Sequence, residues 1–154
     1  MKLRKTAWAL RILAIAAMGT IAWQSASAQS DSTSTPVELL VAITTPDAQT
    51  QAMAMVLASE ALSRKAPVRI LLCGPAGDLA FVNAKEGEII KPMNKTPAQI
   101  LQGLLQKGMM VQLCSDYLQN SGKSEQDMLK EVQSTSLSDI SSYMNRPSVR
   151  YFTF

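Results

Sequence analysis

Two cysteines are the most reactive side chains in this chain of 154 residues, and each ends an apolar run. Cys73 closes "VRILLC" (68–73) and Cys114 closes "MMVQLC" (109–114). A thiolate is a nucleophile and a soft-metal ligand, and two neighbouring thiols form a disulfide. The sequence has no histidine, which excludes Ser-His-Asp and Cys-His pairs and imidazole metal sites. The spacing is not CxxC, which excludes a thioredoxin-type dithiol and a four-thiolate zinc site.

The position of the cysteines predicts a site at one edge of a sheet. Ligands and reactive groups of parallel α/β sheets lie at the carboxyl ends of the strands, and both cysteines are the last residues of predicted strands. Ser115 and Asp116 are suited to cap a helix after Cys114, whose free N–H groups favour a thiolate. The Asp116 carboxylate opposes this, because a nearby negative charge raises the pKa of a thiol. Cys114 is the candidate reactive residue and Cys73 a secondary thiol, and burial of either cysteine as a small apolar side chain without chemistry is the alternative on spacing alone. The predicted pocket lining is Gly74, Ser115, Asp116 and Tyr117.

The N-terminus has the pattern of a secretory signal peptide. Four basic residues in the first 11 positions precede an apolar run at 12–23, and Ala26-Ser27-Ala28 matches the small-x-small cleavage pattern. We therefore predict a signal peptide at 1–28, a polar disordered lead-in at 29–36 and one domain at 37–154. The expected location is periplasmic or secreted, where disulfides persist. The alternative is an uncleaved anchor, although a span needs about 20 apolar residues.

The charge of the chain gives no support to nucleic-acid binding. Four of the 15 basic residues lie in the first 28 positions and all 12 acidic residues follow them, which leaves a mature net charge of −1. The sequence has no Lys/Arg cluster with interleaved aromatic residues. "GPAG" (74–77) lacks the Lys-Ser/Thr of a phosphate-binding loop, so it predicts a turn. We expect no nucleic-acid partner, no membrane association after cleavage, no cofactor and no resident metal.

Alternating strands and helices predict a three-layer α/β/α domain with a mostly parallel sheet. Asp47 is a predicted N-cap, and Met53, Val56, Leu57, Glu60 and Ala61 follow it at helical spacing. Thr96 and Pro97 begin a second helix and Gly122 ends a third. Ser124-x-x-Asp127 predicts a fourth helix over "EQDMLKEV" (125–132). The remaining predicted elements are a strand at 37–45, a helix at 136–147 and a strand at 148–154.

The layout of these segments resembles the DsrE/DsrF-like sulfur-relay family, which has the YchN-like fold. The resemblance covers nearly all of 37–154 and is most specific in Gln102–Leu129, "QGLLQKGMMVQLCSDYLQNSGKSEQDML". The family has there a helix, a strand ending in cysteine, a short helix ending in glycine, and an acidic helix. In several members that cysteine accepts sulfane sulfur as a persulfide, and Cys114 matches it. The resemblance implies a homo-oligomer, with donor and acceptor proteins for the sulfur.

Three features depart from that family, and they leave other functions open. Many members have a second cysteine three residues after the first, and this chain has Tyr117 at that position. The relay members are cytoplasmic, whereas this chain has the pattern of an exported protein. Cys73 has no counterpart in their active site.

One alternative is a non-enzymatic exported binding or assembly module. Its cysteines would form a disulfide or bind Cu(I), although the nine methionines are best explained as core filling. A third hypothesis is that the domain has no chemical activity and is only a structural part of a larger complex. Whether the protein turns over as an enzyme stays open.

Overall fold

A computed structural model describes residues 36–85 and 87–154. The predicted signal peptide (1–28) and all but the last residue of the predicted lead-in (29–36) lie outside the described residues. Within them, no helix has the length and apolar character needed to cross a membrane. The strands are β1 (Glu38–Ile43), β2 (Val68–Leu72), β3 (Met110–Cys114), β4 (Val132–Thr135) and β5 (Val149–Thr153). The helices are α1 (Ala48–Ser63), α2 (Pro97–Gln106), α3 (Ser115–Ser121) and α4 (Leu137–Met144), with 3₁₀ helices at Gly74–Ala80 and Glu125–Asp127.

The five strands form one sheet in the order β4-β3-β2-β1-β5, and every neighbouring pair is parallel. The chain steps outward from β1 to β4 and then returns through α4 to β5, on the other side of β1. This return places α4 on one face of the sheet and α1 and α2 on the opposite face. The predicted three-layer α/β fold with a mostly parallel sheet is confirmed.

The face of the sheet beneath α1 and α2 holds the main core. Ile43, Met55, Ile70, Leu72 and Leu101 are each fully buried there. Asp47 caps α1 by accepting from the Thr50 amide at 2.7 Å, and Thr96 forms a capping box at the start of α2. Both predicted helix starts are therefore confirmed. Capping satisfies N–H groups that have no partner inside the helix.

The predicted apolar spacing in α1 does not mark its buried face. Met53, Val56 and Leu57 are exposed, and the residues that face the sheet are Gln51, Ala52, Ala54, Met55 and Ala58. Three alanines on the inner face let the helix lie close to the strands, so the larger apolar side chains remain outside. Gln51 is satisfied there because its amide donates to the Thr45 carbonyl at 2.8 Å.

The face beneath α4 is smaller and more polar. Its buried apolar cluster consists of Leu40, Leu71, Cys114, Ile140, Tyr143 and Val149. Glu38 accepts hydrogen bonds from Tyr143 at 3.1 Å and Ser148 at 3.0 Å and forms an ion pair with Arg146. On β2, Arg69 donates to Gln112 at 3.0 Å and stacks on the Tyr143 ring, with its Cζ 3.9 Å from the ring centroid.

The segment after Gly122 differs from its prediction. The capping box of Ser124 and Asp127 is present, but it begins a 3₁₀ helix of 3 residues and not a helix over 125–132. Val132–Thr135 then forms β4, a strand that the sequence pattern did not predict. β4 has only 4 residues, of which Gln133 is exposed. This edge strand is held by pairing with β3, and its own residues carry little apolar periodicity.

Candidate functional site

Cys73 and Cys114 are joined by a disulfide at the carboxyl edge of the sheet. The ladder between β2 and β3 runs through Leu72↔Leu113, so the next position on each strand brings the two cysteines side by side. Their Cα atoms lie 5.2 Å apart, within the range that a disulfide spans. No free cysteine remains in the described part of the chain. The two thiols that the sequence placed at strand ends therefore belong to one site.

The two bonded cysteines differ in exposure. Cys114 is 6% exposed and belongs to the cluster beneath α4. Cys73 is only partly buried, and Gly74 and Pro75, which follow it, are exposed. The disulfide is therefore less deeply buried at Cys73 than at Cys114.

Each cysteine also begins a short helical segment. Cys73 precedes the 3₁₀ helix Gly74–Ala80, and Cys114 is the N-cap of α3. Gly74 has a φ of +51°, which bends the chain sharply after Cys73, and a Cβ there would lie 3.3 Å from the Thr44 carbonyl oxygen. Glycine adopts this left-handed conformation without a steric cost. Gly74 thus lies next to the disulfide, and its role as a lining residue stays a prediction.

A polar contact joins the two segments that carry the cysteines. The Tyr117 hydroxyl on α3 donates to Asp78 Oδ1 on the 3₁₀ helix at 2.5 Å, and the Lys123 ammonium forms an ion pair with the same oxygen. The Lys123 Nζ also lies 4.4 Å from the centroid of the Phe81 ring. We call Asp78, Tyr117 and Lys123 the clasp. The clasp holds the residues after Cys73 against the residues after Cys114.

Gly77 makes the clasp possible. A Cβ at this position would lie 2.6 Å from Cδ1 of Tyr117, so the ring lies directly on the glycine backbone. Tyr117 is partly buried and contacts the clusters on both faces of the sheet. Tyr117 therefore has a structural role beside the disulfide.

The clasp shifts the pKa values of its members. The hydrogen bond from Lys123, followed by that from Tyr117, lowers the pKa of Asp78 below its ordinary 3.8. Desolvation and the hydrogen bond to Asp78 raise the pKa of Tyr117 above 10.0. The hydrogen bond to Asp78 raises the pKa of Lys123 above 10.5. At neutral pH the clasp is thus an ionised Asp–Lys pair with a neutral phenol.

Ser115 and Asp116, which were also predicted as lining residues, follow Cys114 directly but differ in exposure. Ser115 and Asp116 form the first turn of α3, and the Ser115 hydroxyl donates to Asp116 at 3.4 Å. Asp116 is exposed, whereas Ser115 is partly buried. Neither side chain caps α3, since its N-cap is Cys114 and has no side-chain hydrogen bond. The predicted capping role of Ser115 and Asp116 is wrong, because the helix begins at Ser115 itself.

Sequence reasoning did not find Asp78 or Phe81. Asp78 lies 39 positions before Tyr117, and only the parallel register of β2 and β3 brings the two together. A signal was available in "GPAGD", where a carboxylate follows Cys73 by five positions. Lys123 lies 45 positions from Asp78, and its own sequence neighbourhood does not reveal the pairing.

A cleft of about 200 Å³ adjoins the site at Asp78. It lies between the first turns of α1 and α2, and its polar lining includes Gln51 and Lys85. Ligand pockets for drug-sized molecules measure about 300–1,000 Å³. Among the described residues, no cluster of three or more His, Cys, Asp or Glu side chains is placed to hold a metal ion.

The fold has counterparts among solved structures. The ychN protein from E. coli matches with a TM-score of 0.63 and 19% identity, over 78% of this chain and 100% of that one. A protein of unknown function, MTH1491 from Methanobacterium thermoautotrophicum, matches with a TM-score of 0.59 and 12% identity, over 77% of this chain and 99% of that one. No protein-family model and no curated protein matches the sequence. The chain therefore has the YchN-like fold, and this likeness establishes the fold alone.

Proposed function

We propose that this protein is a sulfur carrier in which Cys114 holds sulfane sulfur as a persulfide. The observation that supports this most is the pairing of Cys114 with Cys73 at the carboxyl edge of a YchN-like sheet. Two adjacent thiols alternate between a disulfide and a dithiol, and the dithiol state provides the nucleophile. The resemblance of Gln102–Leu129 to sulfur-relay proteins names the same cysteine.

The transfer needs no cofactor. In the dithiol state the Cys114 thiolate attacks the outer sulfur of a donor persulfide, and the donor thiolate leaves as the donor S–S bond breaks. An acceptor thiolate later attacks the outer sulfur on Cys114, and the Cys114 thiolate leaves. Each step exchanges one S–S bond for another, so atoms and electrons balance. The protein then works as a stoichiometric carrier between a donor and an acceptor protein.

The exported location and self-association are part of this proposal. A disulfide between Cys73 and Cys114 supports an oxidising compartment such as the periplasm. Met53, Val56 and Leu57 form an exposed apolar stripe on α1, and such a stripe supports association with further copies of the chain. Analytical ultracentrifugation of the wild type and of Leu57→Glu measures the mass of the assembly in solution. A wild-type protein with the mass of a monomer would contradict the proposed homo-oligomer.

A second candidate function rests on the burial of Cys114. A cysteine that is 6% exposed inside an apolar cluster is typical of a structural disulfide in a binding or assembly module. In this case the bond stays closed and the thiols never react. Cu(I) binding would need the bond to open first, because only thiolates are strong soft-metal ligands.

The mass of the protein after sulfur exposure separates these candidates. The full chain is reduced, freed of reductant, incubated to completion with polysulfide and alkylated, and the cysteine peptides are weighed. We expect one extra sulfur on the Cys114 peptide, and none at that position in Cys114→Ser. Far-ultraviolet circular dichroism confirms that the variant is folded. A wild-type protein that recloses its disulfide or alkylates as plain thiols, with no sulfur gained at either cysteine, contradicts the carrier.

A further inference from the structure

We infer that Cys73 is the point of attack on the disulfide, and that hydrosulfide or a small thiolate bonds to Cys73 Sγ while Cys114 leaves. This inference rests on the proposed carrier function and extends it to the oxidised state of the same site. In the oxidised state it assigns different roles to the two cysteines: Cys73 accepts the incoming nucleophile, and Cys114 leaves as a thiolate and then stores the sulfur.

The difference in exposure supports this assignment. Attack on a disulfide is limited by access to the sulfur that is attacked. Cys114 is 6% exposed beneath α4, whereas Cys73 is partly exposed and is followed by the exposed Gly74 and Pro75. An incoming nucleophile therefore reaches Cys73, and Cys114 is the leaving group.

The clasp supports the second step. Once the disulfide opens, the residues after Cys73 and after Cys114 remain joined through Tyr117 and Asp78 at 2.5 Å and through Lys123. The β2–β3 ladder also continues to Leu72↔Leu113, one residue before the cysteines. The two sulfurs thus stay neighbours, and transfer between them is intramolecular.

The sequence of bonds balances without an external oxidant. Hydrosulfide attacks Cys73 Sγ, the Cys73–Cys114 bond breaks, and the products are a Cys73 persulfide and a Cys114 thiolate. The Cys114 thiolate then attacks the outer sulfur of that persulfide, and Cys73 leaves as a thiolate. The disulfide is reduced by two electrons, and sulfide is oxidised to sulfane sulfur stored on Cys114. In the reverse direction, stored sulfur leaves through Cys73.

The test follows which cysteine acquires sulfur first. The oxidised full chain is mixed with sodium sulfide, alkylated after a series of delays and digested, and each cysteine peptide is weighed. At the shortest delays we expect the extra sulfur on Cys73 and a plain alkylated thiol on Cys114. At long delays we expect the extra sulfur on Cys114. A mixed disulfide formed with glutathione in place of sulfide should likewise map to Cys73.

The outcomes keep this inference separate from the carrier function. Extra sulfur on Cys114 at every delay overturns the role of Cys73 and leaves Cys114 as a carrier. Extra sulfur that stays on Cys73 supports the point of attack and contradicts storage on Cys114. An oxidised protein that is inert to both sulfide and glutathione overturns the inference, even where the reduced protein takes sulfur from polysulfide.

Single-cysteine variants give a second measurement that does not depend on the disulfide. Cys114→Ser keeps only Cys73, and Cys73→Ser keeps only Cys114. We expect a small neutral alkylating reagent to react with Cys73 at least about tenfold faster than with Cys114, which corresponds to about 1.4 kcal/mol in the barrier. Equal rates, or a faster Cys114, in variants that are both folded by circular dichroism contradict the assignment.

Discussion

The two faces of the sheet are stabilised in different ways. Among the described residues, the face beneath α1 and α2 has twenty buried members in its core cluster, and the face beneath α4 has six. The larger face is almost wholly apolar. The smaller one includes the disulfide, the Glu38 hydrogen bonds and the Arg69–Gln112 pair. The smaller face thus has hydrogen bonds, an ion pair and a disulfide where it has less buried apolar area.

The largest expected effect on stability is the cost of truncating a leucine on β2, and two adjacent leucines allow the two faces to be compared. Leu72 faces the larger cluster and is 0% exposed, while Leu71 faces the smaller one and is 5% exposed. We expect Leu72→Ala to lower the free energy of unfolding by about 4 kcal/mol and Leu71→Ala by about 2.5 kcal/mol. Urea unfolding of both variants under oxidising conditions measures the difference. A larger cost for Leu71→Ala would contradict the division of the core between the faces.

Reduction of the disulfide is expected to have the next largest effect. The bond closes a loop of sequence separation 41. Restricting the unfolded chain in this way typically stabilises a protein by about 2–4 kcal/mol. Urea unfolding with and without reductant measures this loss. The Cys73→Ser/Cys114→Ser double variant is the control and should be insensitive to reductant; the same sensitivity in both proteins would show that the bond contributes nothing.

Removing the Glu38 carboxylate should have a smaller effect. Its side chain is 15% exposed and accepts from Tyr143 and Ser148. Glu38→Ala leaves these donors without their acceptor, and we expect a loss of about 2 kcal/mol in the free energy of unfolding. Glu38→Gln keeps one acceptor oxygen and should lose about 1 kcal/mol. Equal stability of Glu38→Ala and the wild type would mean that the polar network does not replace apolar packing.

The smallest effect is the acid dependence of the clasp. Because the pKa of Asp78 is lowered on folding, its ionised form stabilises the folded state above pH 3.8. This contribution is lost as the pH falls below 3.8, towards the folded pKa. The side chains of Lys123 and Asp78 are 37% and 57% exposed, so we expect less than about 1 kcal/mol. Thermal unfolding from pH 6 to pH 2 should show a steeper loss for the wild type than for Asp78→Asn, and parallel curves would contradict the prediction.

The sequence was sufficient for the fold but not for the details of packing. Continuous apolar strands separated by capped helices predicted the parallel sheet, and Asp47 and Thr96 marked two helix starts correctly. β4 was missed because the capping box at Ser124 is a local signal, whereas β4 exists through pairing with β3. The buried face of α1 was missed because small side chains decided it, and hydrophobic spacing does not report how close a helix lies to a sheet.

The site shows the same division between local and long-range information. Spacing placed Cys73 and Cys114 at strand ends, since each run ends at a turn. It did not determine that the two are neighbours, because strand order follows from the whole topology. The pairing of Asp78 with Tyr117 and Lys123 depends on the same order, and no local pattern contains it. Residue chemistry was therefore accessible from the sequence, and residue proximity was not.

The pairing of β5 with β1 has a consequence for how the molecule folds. Thr44, just after β1, bonds to the Phe154 carbonyl across a sequence separation of 110. Contacts between such distant positions raise the contact order of a domain and slow its folding, because a long loop must close before they form. One edge of β1 stays uncovered until β5 has been synthesised and has docked. We therefore expect the pairing of β5 with β1 to be the slowest step in completing the sheet.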